Sequence, residues 1–446
     1  MTPNNRPLDG IRILDFTRVL AGPLATALLA DLGAEVIKIE PPQGDDYRAI
    51  GPMKNGESAL FSVMNRGKKS LVLDLKSAAA RELVEALARQ ADVVVENFRP
   101  GVAERLGIGP ERLGAINPRL VYVSVSGFGQ HGPLAHRPAY DIIVQAMSGL
   151  MEATGDPAGP PTLVGEAVSD VVAGLFASWA TLAALLQRER GGPEAPGQHL
   201  DVAMFDTTLA FLVTSMARYL FTGKPARRVG NRHPLSAPFG VYRAQDGHFA
   251  LAVLNPKLFE ALAGAMGQPA LVADPRFASD ETRSEHEPAL RHLIEQWAGG
   301  HAVEAVLAQL ETAGVPAAPI WNMAQALDSE HARARGLVQA VADERLPGLQ
   351  LPVQPVKFSA SPTVAVQRAP ALGEHSAEVL AQWLGAGAAR LGEWRAAGAL
   401  ATTGRFCTGL PDAFASRSAT TFARAASRAA FAAAARNCAS RFCRAL

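Results

Sequence analysis

The sequence predicts an α/β protein, with a doubly wound parallel-sheet domain followed by a smaller α+β domain. In the first 200 residues, apolar β-branched segments alternate with helical segments, which is the pattern of repeated βαβ units. The predicted strands are apolar along their whole length, as in a sheet covered on both faces. The chain has 446 residues, a length that favours two domains over one core.

The first βαβ unit sets the pattern for the sheet. IRILDF (11–16) predicts a strand, LATALLADLGA (24–34) a helix ended by Gly33, and EVIKIE (35–40) a second strand. The same alternation continues through SLVLDL (70–75), AAARELVEALARQA (78–91), DVVVENF (92–98) and RLVYVSVS (119–126). Ligands of such sheets bind beyond the carboxyl ends of the strands.

Changes in composition mark the domain boundaries. Residues 1–200 are predicted to form the N-terminal part of a large domain, and 201–240 a linker, since Pro225, Pro234 and Pro238 interrupt any periodicity there. Residues 241–330 combine a hairpin pattern with amphipathic helices and predict the small domain. Residues 401–446 are an atypical Ala/Arg-rich tail, interpreted as a solvated extension with a basic interaction tail as the alternative.

Composition excludes several classes of function. The formal net charge of +1 gives no case for nucleic acid or an anionic membrane surface. The longest apolar stretch, 171–186, is shorter than a membrane span and predicts a buried helix. The N-terminus lacks a secretory pattern, so we expect a cytoplasmic protein. All three cysteines lie after residue 406, and no metal-binding cluster is evident, so no metal site is predicted.

One glycine motif suggests a nucleotide site only superficially. GFGQHG (127–132) follows a predicted strand and fits the dinucleotide-binding pattern, which would make the protein an oxidoreductase. That site needs a helix to start at the motif, because the helix N-terminus holds the pyrophosphate. Pro133 and Pro138 follow instead, so we expect no such helix.

Asp170 is the strongest candidate for chemistry. It opens the long apolar helix in VGEAVSDVVAGLFASWATLAALL, where Ser169 or Asp170 could simply be the N-cap. A carboxylate there would be favoured as the anion by the helix dipole, and an ionised carboxylate is a usable nucleophile toward a thioester. Glu166 could be a second acid, although we interpret it as a surface charge.

A set of basic residues follows several predicted strand ends, where a phosphate-bearing ligand would lie. Each alone is typical of a solvated surface, but their recurrence predicts an anion site. The set is Lys68, Lys69, Lys76, Arg99, Arg105 and Arg137.

Several segments together resemble the class III CoA-transferases, the family that includes formyl-CoA and carnitine CoA-transferases. They are LDFTRVLAGPLATALLADLGAEVIKIEPPQGDDYR, NRGKKSLVLDLK, VENFRPGVAERLG, SVSGFGQHGP, RPAYD, SDVVAG, NRHPLSAPFGVY (231–242), DPRF (274–277) and APALGEH (369–375). The resemblance extends over about residues 7–400, and the order and spacing of the segments make it specific.

The resemblance implies a fold and a reaction. The fold is an interlocked homodimer, each subunit having a Rossmann-like large domain and a small domain, with residues 331–400 returning to the large domain. The family's catalytic aspartate falls on Asp170, which would carry CoA as an aspartyl-CoA thioester between an acyl-CoA and a free carboxylic acid. No permanently bound cofactor is implied, since the CoA thioester is a substrate.

The resemblance also implies CoA contacts, to which we add Arg99 and Arg137 as basic neighbours. The family's positions fall on Val19, Leu73, Lys76, Asn97, Phe98, Arg105 and Tyr140.

Three departures from the family pattern affect which substrates and which reaction we expect. Leu20 and Pro41 stand where formyl-CoA transferases carry Gln and Arg, which argues against oxalate and formate; we favour succinyl-CoA as donor. An acyl-CoA racemase or isomerase on the same fold is the alternative, but Ala139 stands where the racemases' catalytic His would be. The tail beyond about residue 400 matches nothing in the family. The acid pair itself depends on pocket shape and is not predicted.

Overall fold

The computed structural model describes residues 6–361 and 365–400, so the prediction for the 401–446 tail lies outside the described residues. The strands, in chain order, are β1 (Arg12–Asp15), β2 (Glu35–Glu40), β3 (Met53–Lys54), β4 (Glu57–Ser58), β5 (Lys69–Val72), β6 (Val93–Glu96), β7 (Val121–Ser126), β8 (His199–Ala203), β9 (Phe239–Arg243), β10 (His248–Ala252), β11 (Ala317–Pro319), β12 (Val338–Ala340) and β13 (Gln350–Pro352).

The helices run between these strands, with single 3₁₀ turns at Asp46–Ala49 and Pro269–Ala273. They are α1 (Ala21–Asp31), α2 (Ala59–Met64), α3 (Ala78–Ala88), α4 (Val102–Arg105), α5 (Pro110–Ile116), α6 (Asp141–Met147), α7 (Leu150–Ala153), α8 (Val168–Arg190), α9 (Met204–Phe211), α10 (Val213–Thr222), α11 (Pro256–Ala265), α12 (Asp280–Glu285), α13 (Glu287–Ala298), α14 (Val303–Thr312), α15 (Met323–Asp328), α16 (Glu330–Arg335), α17 (Ser376–Leu384) and α18 (Ala388–Ala396).

The main sheet has six parallel strands in the order β5–β2–β1–β6–β7–β8. The chain moves outward from β1 in one direction and then returns to place β6 on the other side of β1. Between β1 and β6, the loops that leave the strands diverge and open a crevice at the carboxyl edge, which is where ligands of such sheets bind. The predicted α/β fold class is confirmed.

Helices cover both faces of this sheet, which explains why its strands are apolar on both sides. One face packs against α3, α5 and the C-terminal helices α17 and α18, with Val379, Leu380 and Trp383 of α17 in that core. The other face packs against α1 and α8, through Leu29, Ala173 and Ala177. A separate core surrounds the three-stranded sheet β11–β10–β9 and the helices α11, α13 and α14. The domain boundaries themselves stay a prediction.

The interpretation of 201–240 as a linker is wrong for its first half. Residues up to Ala203 belong to β8, the edge strand of the main sheet, and 204–222 form α9 and α10. Only the proline-containing remainder is irregular up to Phe239. The prolines correctly indicate irregular structure at residues 225–238, but they give no information about the secondary structure of the residues before them.

Helix α1 also begins earlier than predicted, at Ala21 instead of Leu24. The segment AGP forms its first turn, where proline is tolerated because its missing N–H would have no partner in the helix. This shift matters for the site, since it brings the N-terminus of α1 to the crevice.

Helix α8 is buried on one face only. Ala173, Ala177 and Ala184 lie in the core, whereas Leu175 and Trp179 are 49% and 64% exposed. Within the described residues, this is the one helix long and apolar enough to span a membrane, but its inner face is packed as a core helix. The prediction of a buried helix is therefore half right.

Candidate active site

A cavity of about 470 Å³ lies at the carboxyl edge of the main sheet. Its walls come from the loops after β1 and β6, the end of β7, the segment before α6, and the first turn of α8. This is the crevice beside β1 and β6 that the strand order creates. The lining residues are Arg18, Val19, Leu20, Ala21, Asp46, Asn97, Phe98, Arg99, Pro100, Val102, Arg105, Val125, Ser126, Gly127, Ala135, Arg137, Ala139, Tyr140, Asp170 and Met204.

The cavity brings together most of the predicted site residues from distant parts of the chain. Those in its walls are Val19, Asn97, Phe98, Arg99, Arg105, Arg137, Tyr140 and Asp170. Leu73 and Lys76 are not among its lining residues. The Leu73 side chain is fully buried in the core, and its backbone pairs with Leu400; Lys76 lies on an exposed turn after β5. The structure therefore does not bring these two to the cavity.

Asp170 is the third residue of α8, with its side chain reaching the cavity. Within residues 6–361 and 365–400, its carboxylate accepts no hydrogen bond and forms no ion pair. Burial, and secondarily the charge of Asp141, raise the pKa of Asp170 to about 7. We expected the helix dipole to stabilise the anion; desolvation and a neighbouring carboxylate outweigh it here.

The N-cap interpretation of Ser169 and Asp170 is wrong. The residue before α8 is Ala167, which offers no capping side chain. The carboxylate of Asp141, from α6, instead accepts a hydrogen bond from the Ser169 N–H at 2.7 Å and another from Gln145 Nε2 at 2.7 Å. Because Asp141 satisfies the start of α8, Asp170 is left available to the cavity. Glu166 is exposed and outside the cavity, as its interpretation as a surface charge predicts.

Sequence reasoning missed Asp141, although its segment RPAYD was among those quoted for the resemblance. A carboxylate at the first position of a helix is ordinarily read as that helix's own first-turn acid. Its partner on α8 lies 28 residues away in sequence. Local spacing could not have revealed the pair.

Arginine dominates the charge of the cavity. Arg99, Arg105 and Arg137 are exposed, and none pairs with a carboxylate in the part of the chain that the structure describes. A fourth arginine, Arg18, lies 3.6 Å from Asp46 across the cavity wall. Such a cluster suits a ligand with several phosphate groups.

Two members of the predicted basic set have a different role. Lys68 is fully buried and binds Asp15 Oδ2 at 2.9 Å, at the carboxyl end of β1. Lys69 pairs with Glu35 and Glu378 at the far end of β5. Both are therefore structural, and the members of the predicted basic set that line the cavity are all arginines.

A buried ionic network surrounds the carboxyl end of β1. Burial lowers the pKa of Lys68 to about 8, against the opposing pull of Asp15. Asp15, also buried, has its pKa held below the usual value because Lys68 and Lys38 outweigh its desolvation. Lys38 in turn binds Asp45 Oδ2 at 2.8 Å. Every charge is paired, as burial requires.

Comparisons with known proteins identify the family of this chain. Residues 8–376 match CoA-transferase family III. An acetyl-CoA:oxalate CoA-transferase of Acetobacter aceti is 47% identical over 79% of this chain and 89% of its own length. A succinate–glutarate CoA-transferase of Agrobacterium fabrum is 40% identical over 85% and 96%.

Solved structures show the same fold. A CAIB/BAIF family protein from Brucella suis has a TM-score of 0.76 at 38% identity, covering 85% of this chain and 100% of that chain. A hypothetical protein from Mycobacterium tuberculosis has a TM-score of 0.75 at 33% identity, covering 84% and 99%. With the crevice, its arginines and Asp170 in place, the chain belongs to CoA-transferase family III and is an enzyme that moves coenzyme A between an acyl-CoA and a carboxylic acid.

Proposed function

We propose that Asp170 is the nucleophile of this CoA-transferase and carries CoA as an aspartyl thioester. The observation that supports it is the contrast between the two carboxylates of the cavity. Asp46 is exposed and lies beside Arg18, whereas Asp170 is partly buried and has no hydrogen-bond or ion-pair partner within the described residues. Burial raises the energy of the Asp170 anion, which makes it the better attacking group.

The proposed reaction runs through four balanced displacements. The Asp170 carboxylate attacks the thioester carbonyl of the donor, the C–S bond breaks, and a mixed anhydride and CoA thiolate result. The thiolate attacks the aspartyl carbonyl of the anhydride, which releases the donor acid. The acceptor carboxylate then attacks the aspartyl thioester, and the thiolate returns to the acceptor's carbonyl. Asp170 is regenerated, and no water or net proton is consumed.

The arginines supply the other half of the site. Arg99, Arg105 and Arg137 would bind the phosphates of CoA, while Val19, Phe98 and Tyr140 would contact the remainder of the molecule. Planar guanidinium groups match phosphate oxygens in pairs, so they bind the CoA moiety whichever acyl group it carries. This common anchoring is what a transferase needs, since donor and acceptor thioesters share only CoA.

For the donor we propose succinyl-CoA, because several relatives are named as CoA-transferases that use succinyl-CoA. Oxalate stays open as a partner acid. A relative 47% identical to this chain is named for oxalate, so Leu20 and Pro41 no longer suffice to exclude it.

The direct test is an acceptor panel with the purified full chain. Succinyl-CoA is mixed separately with glutarate, oxalate and acetate, and the acyl-CoA products are identified by mass spectrometry. We expect a new acyl-CoA with stoichiometric release of succinate and no free CoA. Solvent deuterium entering the α-carbon of an acyl-CoA, with no acceptor needed, would favour the racemase instead.

We also propose that the protein is a homodimer acting in the cytoplasm. The outer face of α8 and the helix α10 both expose large apolar side chains that a monomer would leave in water. They include Leu175, Phe176, Trp179, Val213, Tyr219, Leu220 and Phe221. CoA thioesters are intracellular metabolites, which supports an intracellular location, and cell fractionation tests the cytoplasmic assignment.

A further inference from the structure

Val19 has an unusual backbone conformation in the cavity wall. Its φ is +69°, in the left-handed region, and among the described residues only Asn55 shares a positive φ without being glycine. Asparagine tolerates that region, but a β-branched side chain does so rarely and at a cost in conformational energy. Such strain persists only where surrounding groups enforce it.

The enforcing groups are visible around the loop after β1. Asn97 Oδ1 accepts a hydrogen bond from the Arg18 N–H at 2.8 Å, and Asn97 Nδ2 donates one to the Arg18 carbonyl at 2.8 Å. On either side, Lys38 Nζ donates to the Thr17 carbonyl at 2.8 Å and Asp45 Oδ1 accepts from the Val19 N–H at 3.2 Å. Asn97 therefore pairs with both the N–H and the carbonyl of Arg18, as the backbone of a neighbouring β-strand would.

This loop determines where α1 begins. Leu20 directly follows Val19 and precedes the first turn of α1, and Leu20 and Ala21 both line the cavity. The Ala21 carbonyl lies so close to Gly174 that a Cβ there would come within 2.8 Å of it. Gly174 is one turn after Asp170 on α8. The start of α1 and the start of α8 are thus in direct contact at the cavity.

We propose that Asn97 is a positioning residue, which holds Val19 in its left-handed conformation and so fixes the first turn of α1 beside Asp170. The proposal rests on the function proposed above and changes the role of Asn97 from a CoA contact to a clamp on the protein's own backbone. Both halves of its amide are already occupied by Arg18.

The proposal makes a specific kinetic prediction. Without the clamp, Val19 relaxes toward negative φ, and α1 shifts relative to Asp170. A displacement of about 1 Å at a reacting centre can cost about 10²-fold in rate. We therefore expect Asn97→Ala to lower kcat by more than 10-fold while the KM for succinyl-CoA changes less than 3-fold, because the arginines remain.

The test is a double-mutant cycle with Val19→Gly, since glycine adopts a positive φ without strain. In the N97A background, V19G should restore most of the lost kcat and part of the lost melting temperature. A raised KM with unchanged kcat, and no rescue by V19G, would show that Asn97 contacts CoA directly and would overturn the proposal. If N97A does not fold, Asn97→Asp, which keeps the acceptor for the Arg18 N–H, takes its place in the cycle.

Asn117 provides the matched control. Its side chain also bridges backbone groups, the carbonyls of Ala88 and Ala91, but far from the cavity. Asn117→Ala should lower the melting temperature and leave kcat within 2-fold. The melting-temperature cycle does not depend on activity. If the wild-type chain transferred no CoA, the proposed function would fail. The role of Asn97 in holding Val19 could still be tested, because the melting temperatures of the single and double variants measure the coupling between the two residues.

Discussion

Asp170 is partly buried and has no hydrogen-bond or ion-pair partner among the described residues, and these two properties set its pH behaviour. Its pKa is raised to about 7, and only the ionised form can attack a thioester. We predict that kcat/KM for succinyl-CoA rises with pH, with a midpoint near pH 7, and levels off above about pH 8. A profile that is flat from pH 5 to 8 would contradict this assignment of the nucleophile.

The same pKa predicts that Asp170 destabilises the fold at neutral pH. Because the folded pKa lies above the unfolded value near 3.8, the cost is absent below about pH 4 and grows as pH rises to about 7. Asp170→Asn should therefore abolish transfer, by at least about 10³-fold, and stabilise the protein by about 1–2 kcal/mol at pH 8 but not at pH 4.

Thermal unfolding across that pH range measures the difference. Glu166→Gln is the matched control, since this carboxylate lies four residues away but is exposed, and its removal should change neither stability nor its pH dependence. Equal effects of the two substitutions would mean that burial of Asp170 is not the cause.

Asp141 offers a second prediction at the residue scale. Asp141→Asn keeps an oxygen for the Ser169 N–H but removes the negative charge that helps raise the pKa of Asp170. We expect an active enzyme whose acid limb shifts down by about 0.5–1 pH unit. Asp141→Ala should instead lower the stability by about 1 kcal/mol, since α8 loses its capping acceptor. An acid limb unmoved in D141N would exclude the electrostatic role.

Helices α1 and α8 are held together by a close approach that only glycine permits. A Cβ at Gly174 would lie 2.8 Å from the Ala21 carbonyl, so Gly174→Ala must separate the two helices. We predict a loss of about 1–3 kcal/mol in stability together with a loss of activity. In Gly264→Ala, on α11, the new Cβ meets nothing within 4 Å. That variant should be neutral or gain about 0.5–1 kcal/mol in stability and retain activity.

Strands β1, β2, β5, β6 and β7 of the main sheet were predictable because each lies in a largely apolar segment bounded by clear turn or helix signals. The position of the crevice followed from the strand–helix order alone. The local sequence pattern did not predict how α8 begins, because the acceptor that caps this helix comes from Asp141 on another helix. Residues 201–222 failed similarly, since β8 is recognisable as a strand only beside β7.

The roles of the charged residues were likewise only partly predictable from the sequence. The arginines at strand ends were predicted as an anion site, and three of them line the cavity. Lys68 carries the same sequence signal but is buried, since its partner Asp15 lies 53 residues away on β1. Only the folded arrangement distinguishes a lysine that balances a buried carboxylate from one that faces a ligand.

For the molecule as a whole, the exposed apolar face of α8 and α10 predicts self-association. Trp179 is 64% exposed and Phe221 89%, which is unusual for side chains of this size. We expect the wild-type chain to sediment as a dimer and Trp179→Glu to weaken the dimer by at least 10-fold in dissociation constant. Lys257→Glu, an exposed charge change on α11, is the control. A wild-type chain that sediments as a monomer at micromolar concentration would contradict the homodimer.

The covalent intermediate is the central claim, and trapping it is the most direct measurement. The protein is mixed with succinyl-CoA without an acceptor, reduced with borohydride, digested and mapped by peptide mass spectrometry. We predict reduction of the Asp170 side chain to the corresponding alcohol, dependent on succinyl-CoA and absent in D170N. An unmodified Asp170 in folded protein that binds succinyl-CoA, with transfer activity intact, would contradict the aspartyl thioester route.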